Sequence, residues 1–243
     1  MAVLQGPSLK QADMISQELG EGPGDIERGV RDLRSMLAAS PYLPDPENVD
    51  RRVLELFVRG CRMDLDRARA KLEAYCLARA RFRDLYEHRS LSCPPLNDVC
   101  QFMDIVVLPK LTDEGYRITI FRIRPEYPEG SADISNTVRA VLLTSDVRMY
   151  DEHQIGGDVF IYEYYLHAKV EQLLEHIPAR VLPSEWGGEE DTIDVLAKRW
   201  CRRIDEVSPY LRLFNEACCE APAPMNDVDI YGTVGAFRKL DID

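Results

Sequence analysis

The sequence has 243 residues, of which 45% are apolar and 30% are charged. Those proportions are typical of a folded globular protein, and the length allows one large domain or two small ones. The formal net charge of −12 argues against general affinity for nucleic acid, so no nucleic-acid partner is expected.

Positive charge is concentrated in residues 51–89, where 11 Lys and Arg stand against 6 Asp and Glu. This segment therefore carries +5, and the rest of the chain carries −17. A basic segment in an acidic protein favours its orientation toward an anionic surface. The alternative is a solvated helix face that is rich in arginine.

The first residues lack the basic and apolar regions of a secretory signal, and no apolar run reaches the length of a membrane span. The seven cysteines form no C-x-x-C pair. We therefore expect a cytoplasmic protein whose thiols are reduced and buried.

Residues 1–90 are predicted to form an all-helical unit. Apolar residues at helical spacing predict a helix over 25–39, and the prolines that follow end it. A second helix is expected to begin near Asn48 or Asp50. Asp64 is predicted to cap a third helix, because its carboxylate can accept hydrogen bonds from free backbone N–H groups. The outward face of that third helix carries Arg67, Lys71 and Arg79.

After residue 95 the pattern becomes that of an α/β layer. β-branched and aromatic residues predict a strand over 117–123, and a nearly continuous apolar run predicts a second strand over 158–166, buried on both faces. A helix over 134–149 separates them. Strand, helix and strand in this order imply a parallel pair. Further helices are predicted at 169–177, 192–206 and 209–219, with the last one restarted at Ser208 and Pro209.

No constellation of catalytic residues is found, so we expect a protein that is not an enzyme and holds no metal or cofactor. The four histidines show no zinc-binding spacing. Residues 227–232 resemble the start of a calcium loop, but Arg238 stands where a bidentate Glu is required. The adjacent Cys218 and Cys219 are either a redox-active pair or an inert one.

Several stretches together resemble the CRAL-TRIO family, which includes tocopherol-transfer and retinaldehyde-binding proteins. Residues 56–72 (LFVRGCRMDLDRARAKL) are similar to the family's N-terminal helical signature. Residues 108–123 resemble its first strand, preceded by a turn. Residues 182–190 (LPSEWGGEE) are close to the family motif L-P-x-E-[YW]-G-G and are the most specific match. Residues 236–243 resemble the C-terminal end of many invertebrate members.

The most specific motif has a physical interpretation. Gly187 and Gly188 permit a left-handed turn before the next helix. Trp186 supplies a large apolar area, which we expect to pack the C-terminal helix against the sheet.

The resemblance implies an α/β fold with an N-terminal helical domain (1–90), a lipid-binding domain (91–220) and a tail (221–243). It also implies a non-enzymatic carrier that moves a hydrophobic ligand, such as a tocopherol, a retinoid or a phosphoinositide, between membranes. Its partners would be that lipid and an anionic, phosphoinositide-containing membrane surface, with peripheral and transient attachment. The implied ligand-lining residues are Phe121, Ile123, Val138, Leu142, Ser145, Phe160 and Tyr162. The implied membrane contacts are Arg59, Arg62, Arg67, Lys71 and Arg79.

The sequence departs from the family at Glu163, Tyr164 and Tyr165, which join two strands directly. In the family, several helices and a further strand lie between these strands and supply the pocket floor and a mobile gate helix. We therefore expect one long or kinked strand at the join, and weaker ligand binding than in complete relatives. Cys61 also replaces the second Arg of the family's L-R-A-R segment.

A second function stays open beside the carrier. The chain would then be an interaction module without a ligand, which docks a partner or competes with a full-length form. On that hypothesis the residues that match the family's pocket are ordinary core packing.

Overall fold

The computed structural model describes residues 4–40, 43–87, 90–152, 154–163 and 170–220. Within these ranges the chain forms α-helices, β-strands and short 3₁₀ turns. The helices are α1 (Leu9–Leu19), α2 (Asp25–Ala38), α3 (Arg51–Gly60), α4 (Leu65–Arg81), α5 (Arg83–Glu87), α6 (Val99–Phe102), α7 (Ile134–Asp151) and α8 (Ile193–Glu220). The strands are β1 (Met103–Val107), β2 (Tyr116–Ile123) and β3 (Gly157–Glu163). None of the helices in the described ranges combines the length and the apolar character needed to cross a membrane.

The chain forms two compact units, and each is discontinuous in sequence. Unit 1 contains the described residues of 1–22 and 85–211, and unit 2 contains those of 23–84 and 212–243. The last residues of α8 therefore belong to unit 2 and the rest of that helix to unit 1. This division differs from the predicted boundaries at 90 and 220, which stay a prediction about family domains.

Unit 2 is helical in its described residues, as the sequence predicts. Asp50 caps α3 and Asp64 caps α4, because each carboxylate accepts a hydrogen bond from a backbone N–H of the first turn, at Arg52 and Arg67. The predicted cap at Asp64 and the predicted start of α3 near Asp50 are thus confirmed. Leucines from three helices meet in the core of this unit: Leu33, Leu54 and Leu72.

Unit 1 contains a three-stranded sheet in the order β1-β2-β3. β2 and β3 are parallel, with Phe121 opposite Tyr162, and α7 connects them in sequence. The predicted mixed α/β class and the parallel pair are confirmed. β1 is antiparallel to β2 and is not predicted, since its five residues are all buried and show no alternation.

Different elements cover the two faces of the sheet. On one face, Ile118 and Ile120 pack in a cluster that includes Trp186 and the first turns of α8. On the other face, Ile105 packs in a cluster that includes the buried side of α7. Phe121 lies at the edge of this second cluster and is only partly buried.

The segment 182–190 forms the predicted left-handed turn. Gly187 has a φ of +76°, a conformation that favours glycine. A Cβ at Gly188 would lie 2.0 Å from the carbonyl oxygen of Leu182, so the backbone approaches too closely for any other residue. Trp186 is 6% exposed and packs with sheet residues and with Leu196 of α8. The predicted structural role of this tryptophan is confirmed.

Helix α1 belongs to unit 1 and is not predicted from the sequence. Ser8 and Gln11 form a capping box at its start, in which each side chain accepts a hydrogen bond from the backbone N–H of the other. The helix is held to the sheet end of unit 1 by the amide of Gln154, which donates to the hydroxyl of Ser16 at 2.7 Å.

Two sequence-based expectations about elements are wrong. The helix does not restart at Ser208, because α8 continues through Pro209 to Glu220. Proline removes one helical hydrogen bond, but Val207 and Leu211 on either side are buried in the core of unit 1, which holds the helix in place. β3 is not buried on both faces, since its residues alternate between partly buried and exposed. The predicted extension of this strand to 166 lies outside the described residues.

Candidate ligand-binding face

The predicted ligand-lining residues of the sheet share one face of two adjacent strands. Successive side chains of a strand point to opposite faces, so Phe121 and Ile123 of β2 lie on the same side. Phe160 and Tyr162 do the same on β3, and the parallel register sets Thr119 and Phe121 opposite them. The face is therefore built from two short runs of alternating residues at the carboxyl ends of parallel strands.

The three aromatic residues among them, Phe121, Phe160 and Tyr162, are called the aromatic face below. The rings of Phe121 and Tyr162 are stacked, with centroids 5.1 Å apart and planes at 11°. The ring of Phe160 lies 6.2 Å from that of Phe121. These separations are favourable for aromatic pairs. Phe160 is nevertheless 51% exposed and Tyr162 is 58% exposed, so the stacked rings present an apolar surface to solvent.

Helix α7 supplies the other predicted ligand-lining residues, which recur along one stripe. Val138 is 42% exposed, Leu142 is half-buried and Ser145 is exposed. The hydroxyl of Ser145 donates to the carbonyl oxygen of Val141 at 3.0 Å. The buried side of the helix is a different one, formed by Ala140, Leu143 and Val147. The stripe selected from the sequence is thus the solvent-facing side of α7.

Charged residues hold α7 on the side of the sheet that carries the aromatic face. Arg148 of α7 is paired with Asp158 of β3, and Asp158 and Phe160 point to the same side of that strand. Arg148 also contacts Glu152 at 3.4 Å, and Glu152 forms a fully buried ion pair with Arg117, 2.8 Å from Nη2 to Oε1. These pairs close the face at the amino ends of the strands, whereas the aromatic rings stand at the carboxyl ends.

The opposite side of the sheet carries a polar cluster at the carboxyl ends of β2 and β3, where the aromatic rings stand on the first side. The buried carboxylate of Asp104 accepts from Arg122 and from Arg124, each at 2.6 Å. Arg122 lies opposite Glu163 in the parallel register. Burial raises the pKa of Glu163; the positive charge of Arg122 opposes this rise, and the carboxylate of Glu185 adds to it. This side of the sheet is therefore charged where the other side is aromatic.

Unit 1 also contains two cavities that the predicted ligand-lining residues do not border. One, of about 520 Å³, lies between the segment before α1 and Lys110, Asp113 and Arg180. The other, of about 510 Å³, is bordered by α6, β1 and α8 and includes Cys100 and Cys201.

Four of the five predicted membrane contacts in unit 2 reach solvent. Arg62, Arg67 and Lys71 are exposed, and Arg59 is half-buried. Arg67 and Lys71 lie one turn apart on α4, so they share one face of that helix.

The placement of Arg79 on the outward face of α4 is wrong. Its side chain is 2% exposed. Its guanidinium lies over the ring of Tyr75, 3.3 Å from the centroid, and donates to the carbonyl oxygen of the same residue at 3.1 Å. An arginine that stacks on an aromatic ring and bonds the backbone is stabilised inside the unit, so it cannot contact a membrane.

Several predictions fall on residues that the structure does not describe. These are three of the four histidines, the join at 164–165, the calcium-like segment and the tail 221–243; the fourth histidine, His176, is exposed. In the part of the chain that is described, no group of three or more His, Cys, Asp or Glu is placed to hold a metal ion. All seven cysteines are free thiols, of which Cys61, Cys76 and Cys218 are buried.

Two side-chain contacts in unit 1 were not predicted from the sequence. Tyr127 is exposed, and its ring lies 5.9 Å from that of Phe102. The thiols of Cys100 and Cys201 lie 3.9 Å apart, although 101 positions separate them in the chain. No local pattern signals a contact over that separation, because it depends on how α8 packs beside α6.

Comparison with known protein families and with curated proteins identified no relative of this chain. The sequence matches no model of a known protein family, and it matches no curated protein. The resemblance to the CRAL-TRIO family stays a prediction that rests on residues 56–72, 108–123, 182–190 and 236–243.

Proposed function

We propose that the chain is a non-enzymatic carrier that binds a hydrophobic ligand on the aromatic face of unit 1. The observation that carries this proposal is the cluster of Phe121, Phe160 and Tyr162 toward the carboxyl ends of a parallel pair, in which Phe121 and Tyr162 are stacked and the outer rings are about half exposed. In open α/β sheets, ligands bind outside the carboxyl ends of the strands. Clustered apolar side chains that remain exposed mark such binding surfaces.

The geometry also favours a class of ligand. Stacked rings offer a flat surface that suits a ring system, such as the head group of a tocopherol or the ring of a retinoid. The exposed Val138 and half-buried Leu142 of α7 would extend this contact along an aliphatic chain. The hydroxyl groups of Tyr162 and Ser145 would provide polar contacts for the ligand's hydroxyl or carbonyl.

An open face sets a limit on affinity. Burial of apolar surface contributes about 25 cal/mol per Å², and carriers with enclosing pockets bury most of the ligand. A ligand on the aromatic face is covered on one side only. We therefore expect binding that is saturable but weaker than that of carriers with a closed pocket.

A titration with a fluorescent tocopherol analogue and with a retinoid tests the proposal. Tyr162→Ala removes roughly 60 Å² of apolar contact, which corresponds to an affinity about tenfold lower. The matched control is Tyr210→Ala, since Tyr210 is 59% exposed in unit 1 and is stacked on Tyr150 with centroids 5.7 Å apart. Equal affinities of the two variants would contradict binding at the aromatic face.

The exposed basic residues of unit 2 support delivery at an anionic membrane. Sedimentation with phosphoinositide-containing vesicles should be weakened by the pair Arg67→Gln and Lys71→Gln. Each basic residue near such a surface contributes about 1 kcal/mol, so a loss of about thirtyfold is expected. The control pair is Arg28→Gln and Arg31→Gln, which removes the same charge from exposed positions of unit 2 outside the basic segment.

The salt dependence of vesicle binding is a second test of membrane attachment. Exposed charges are screened over about 8 Å at physiological ionic strength, so vesicle binding should fall steeply as salt is added. Equal binding to neutral and anionic vesicles would contradict the proposal that the basic residues of unit 2 drive membrane binding.

The second candidate function, an interaction module, is favoured by one observation. Among the described residues, β3 is hydrogen-bonded along one edge only, since it is the last strand of the sheet. An open edge beside an apolar face can accept a strand from another protein. Suppose that the wild-type chain binds neither lipid and that Tyr162→Ala reduces its self-association on size-exclusion chromatography. These results would favour the interaction module over the carrier as the function of the chain.

A further inference from the structure

We propose that Cys100 and Cys201 form a modification site, a dithiol that a hydroperoxide oxidises to an intramolecular disulfide. The two sulfur atoms lie 3.9 Å apart, and neither belongs to the aromatic face or to the basic residues of unit 2. The site is therefore independent of the carrier proposal.

The helices that carry the two cysteines bring their sulfur atoms together. Val99 and Trp200, their immediate neighbours in sequence, are buried in the same core cluster, which fixes α6 beside α8. A disulfide requires a sulfur–sulfur distance of about 2.05 Å. The sulfur atoms must therefore approach each other by about 2 Å for the bond to form.

The pair is accessible, unlike the buried thiols of unit 2. Cys100 and Cys201 are each partly exposed and border the cavity of about 510 Å³. The rest of that border combines apolar side chains with the polar and charged residues Ser92, Asp104, Arg124, Lys198, Arg202 and Asp205. A small hydroperoxide can therefore reach the sulfur atoms, whereas Cys61 is closed off in the core of unit 2.

The surroundings shift the pKa values of the two thiols in opposite directions. The hydrogen bond from the thiol of Cys201 lowers the pKa of Cys100, and the positive charge of Arg124 acts in the same direction. Burial and the carboxylates of Asp104 and Asp205 oppose this effect. The hydrogen bond to Cys100, together with burial, raises the pKa of Cys201. Because the thiolate is the nucleophile, Cys100 is the residue that reacts first.

The reaction balances with one hydroperoxide, ROOH. The thiolate of Cys100 attacks the terminal oxygen, so an S–O bond forms, the O–O bond breaks, and RO⁻ leaves and takes a proton to give ROH. The sulfur of Cys201 then attacks the sulfenic sulfur of Cys100. The S–S bond forms, the S–O bond breaks, and hydroxide leaves with the thiol proton of Cys201 as water. Two thiols are oxidised by two electrons, and the hydroperoxide is reduced to an alcohol and water.

Peptide mapping of the folded chain tests the site. Trypsin releases Cys100 on residues 90–110 and Cys201 on residues 200–202. Because residues 90–110 also contain Cys93, the test uses a Cys93→Ser chain, which makes the assignment unique. After hydrogen peroxide and alkylation, mass spectrometry should find these two peptides joined. Dithiothreitol should separate them.

Single variants separate the two roles. In the Cys93→Ser chain, Cys201→Ser should leave a sulfenic acid on Cys100, which dimedone traps at a level at least tenfold above that of the parent chain. Cys100→Ser should leave Cys201 as an alkylatable thiol after the same treatment. Circular dichroism confirms that each variant is folded.

Two results would overturn the proposal. One is recovery of both cysteines as free thiols or as separate sulfinic acids after treatment of the folded chain. The other is a cross-link that forms only in urea, which would show that the folded chain keeps the sulfur atoms apart.

Discussion

The two faces of the parallel pair β2 and β3 both carry large apolar side chains but differ in how far these side chains are covered. Ile118 and Ile120 point to one side and are fully buried in the cluster that contains Trp186. Phe160 and Tyr162 point to the other side and stay about half exposed. The comparison shows that side-chain hydrophobicity alone does not decide burial in this sheet. Burial depends on which segment of the chain packs over each end of each strand.

The largest effect on stability is expected where ion pairs close the face that carries the aromatic rings. Arg117 is fully buried and donates to Glu152 and to the carbonyl oxygens of Leu108, Pro109 and Gln5. Arg117→Met removes the charge that compensates the buried carboxylate of Glu152. Breaking a buried pair in this way lowers the free energy of unfolding by about 3–5 kcal/mol, which urea denaturation can measure.

The control for this variant is an exposed ion pair. Arg199→Met breaks the pair with Asp191, in which both side chains are largely solvated, and should change the free energy of unfolding by less than about 1 kcal/mol. Similar losses in the two variants would mean that Arg117 is not held in a buried network.

A direct test of the comparison uses one residue from each face. Ile120→Ala removes a fully buried side chain from the covered face, and a loss of about 2–5 kcal/mol is expected. Phe160→Ala removes an exposed ring from the open face and should lower the free energy of unfolding by less than about 1.5 kcal/mol. If the larger loss followed Phe160→Ala, the aromatic face would be part of the core and not a binding surface.

The smallest effect concerns Glu163 and depends on pH. Burial raises the pKa of its carboxyl group, so the folded chain keeps the proton to a higher pH than the unfolded chain does. Stability is therefore lost as the pH rises from the ordinary carboxyl value of about 4.3 toward the raised pKa. Glu163→Gln should remove this slope in urea midpoints measured across that window. Glu129→Gln, at an exposed position, should leave it unchanged.

The elements of the fold could largely be predicted from sequence because they depend on local signals. Helices α2, α3 and α7 follow from apolar periodicity, and Asp50 and Asp64 act as caps within the reach of one turn. The turn at Gly187 follows from the motif around it. These elements thus needed no knowledge of tertiary contacts, whereas α1, β1 and the continuation of α8 through Pro209 were not predicted.

The burial of side chains on each element could not be predicted, because it depends on which distant parts of the chain pack against that element. The apolar run of β3 indicates two buried faces, yet the residues of one face are exposed and those of the other are only partly buried. Arg79 belongs to a helix face that looks solvated in sequence, but it is buried and its guanidinium lies over the ring of Tyr75. The candidate residues were therefore identified by position, while their exposure and partners required the structure.

The attachment of the N-terminal segment has a consequence for the order of folding. The backbone N–H of Gln5 donates to Pro109 at 2.8 Å, and the side chain of Gln11 donates to the carbonyl oxygen of Thr112 at 2.7 Å. During synthesis these residues leave the ribosome about a hundred residues before their partners. Contacts of such sequence separation close slowly, whereas the helix pairs within residues 23–84 are close in sequence and form early. Residues 9–19 therefore lack their tertiary partners until the middle of the chain has been translated, and a helix of this length is only marginally stable alone.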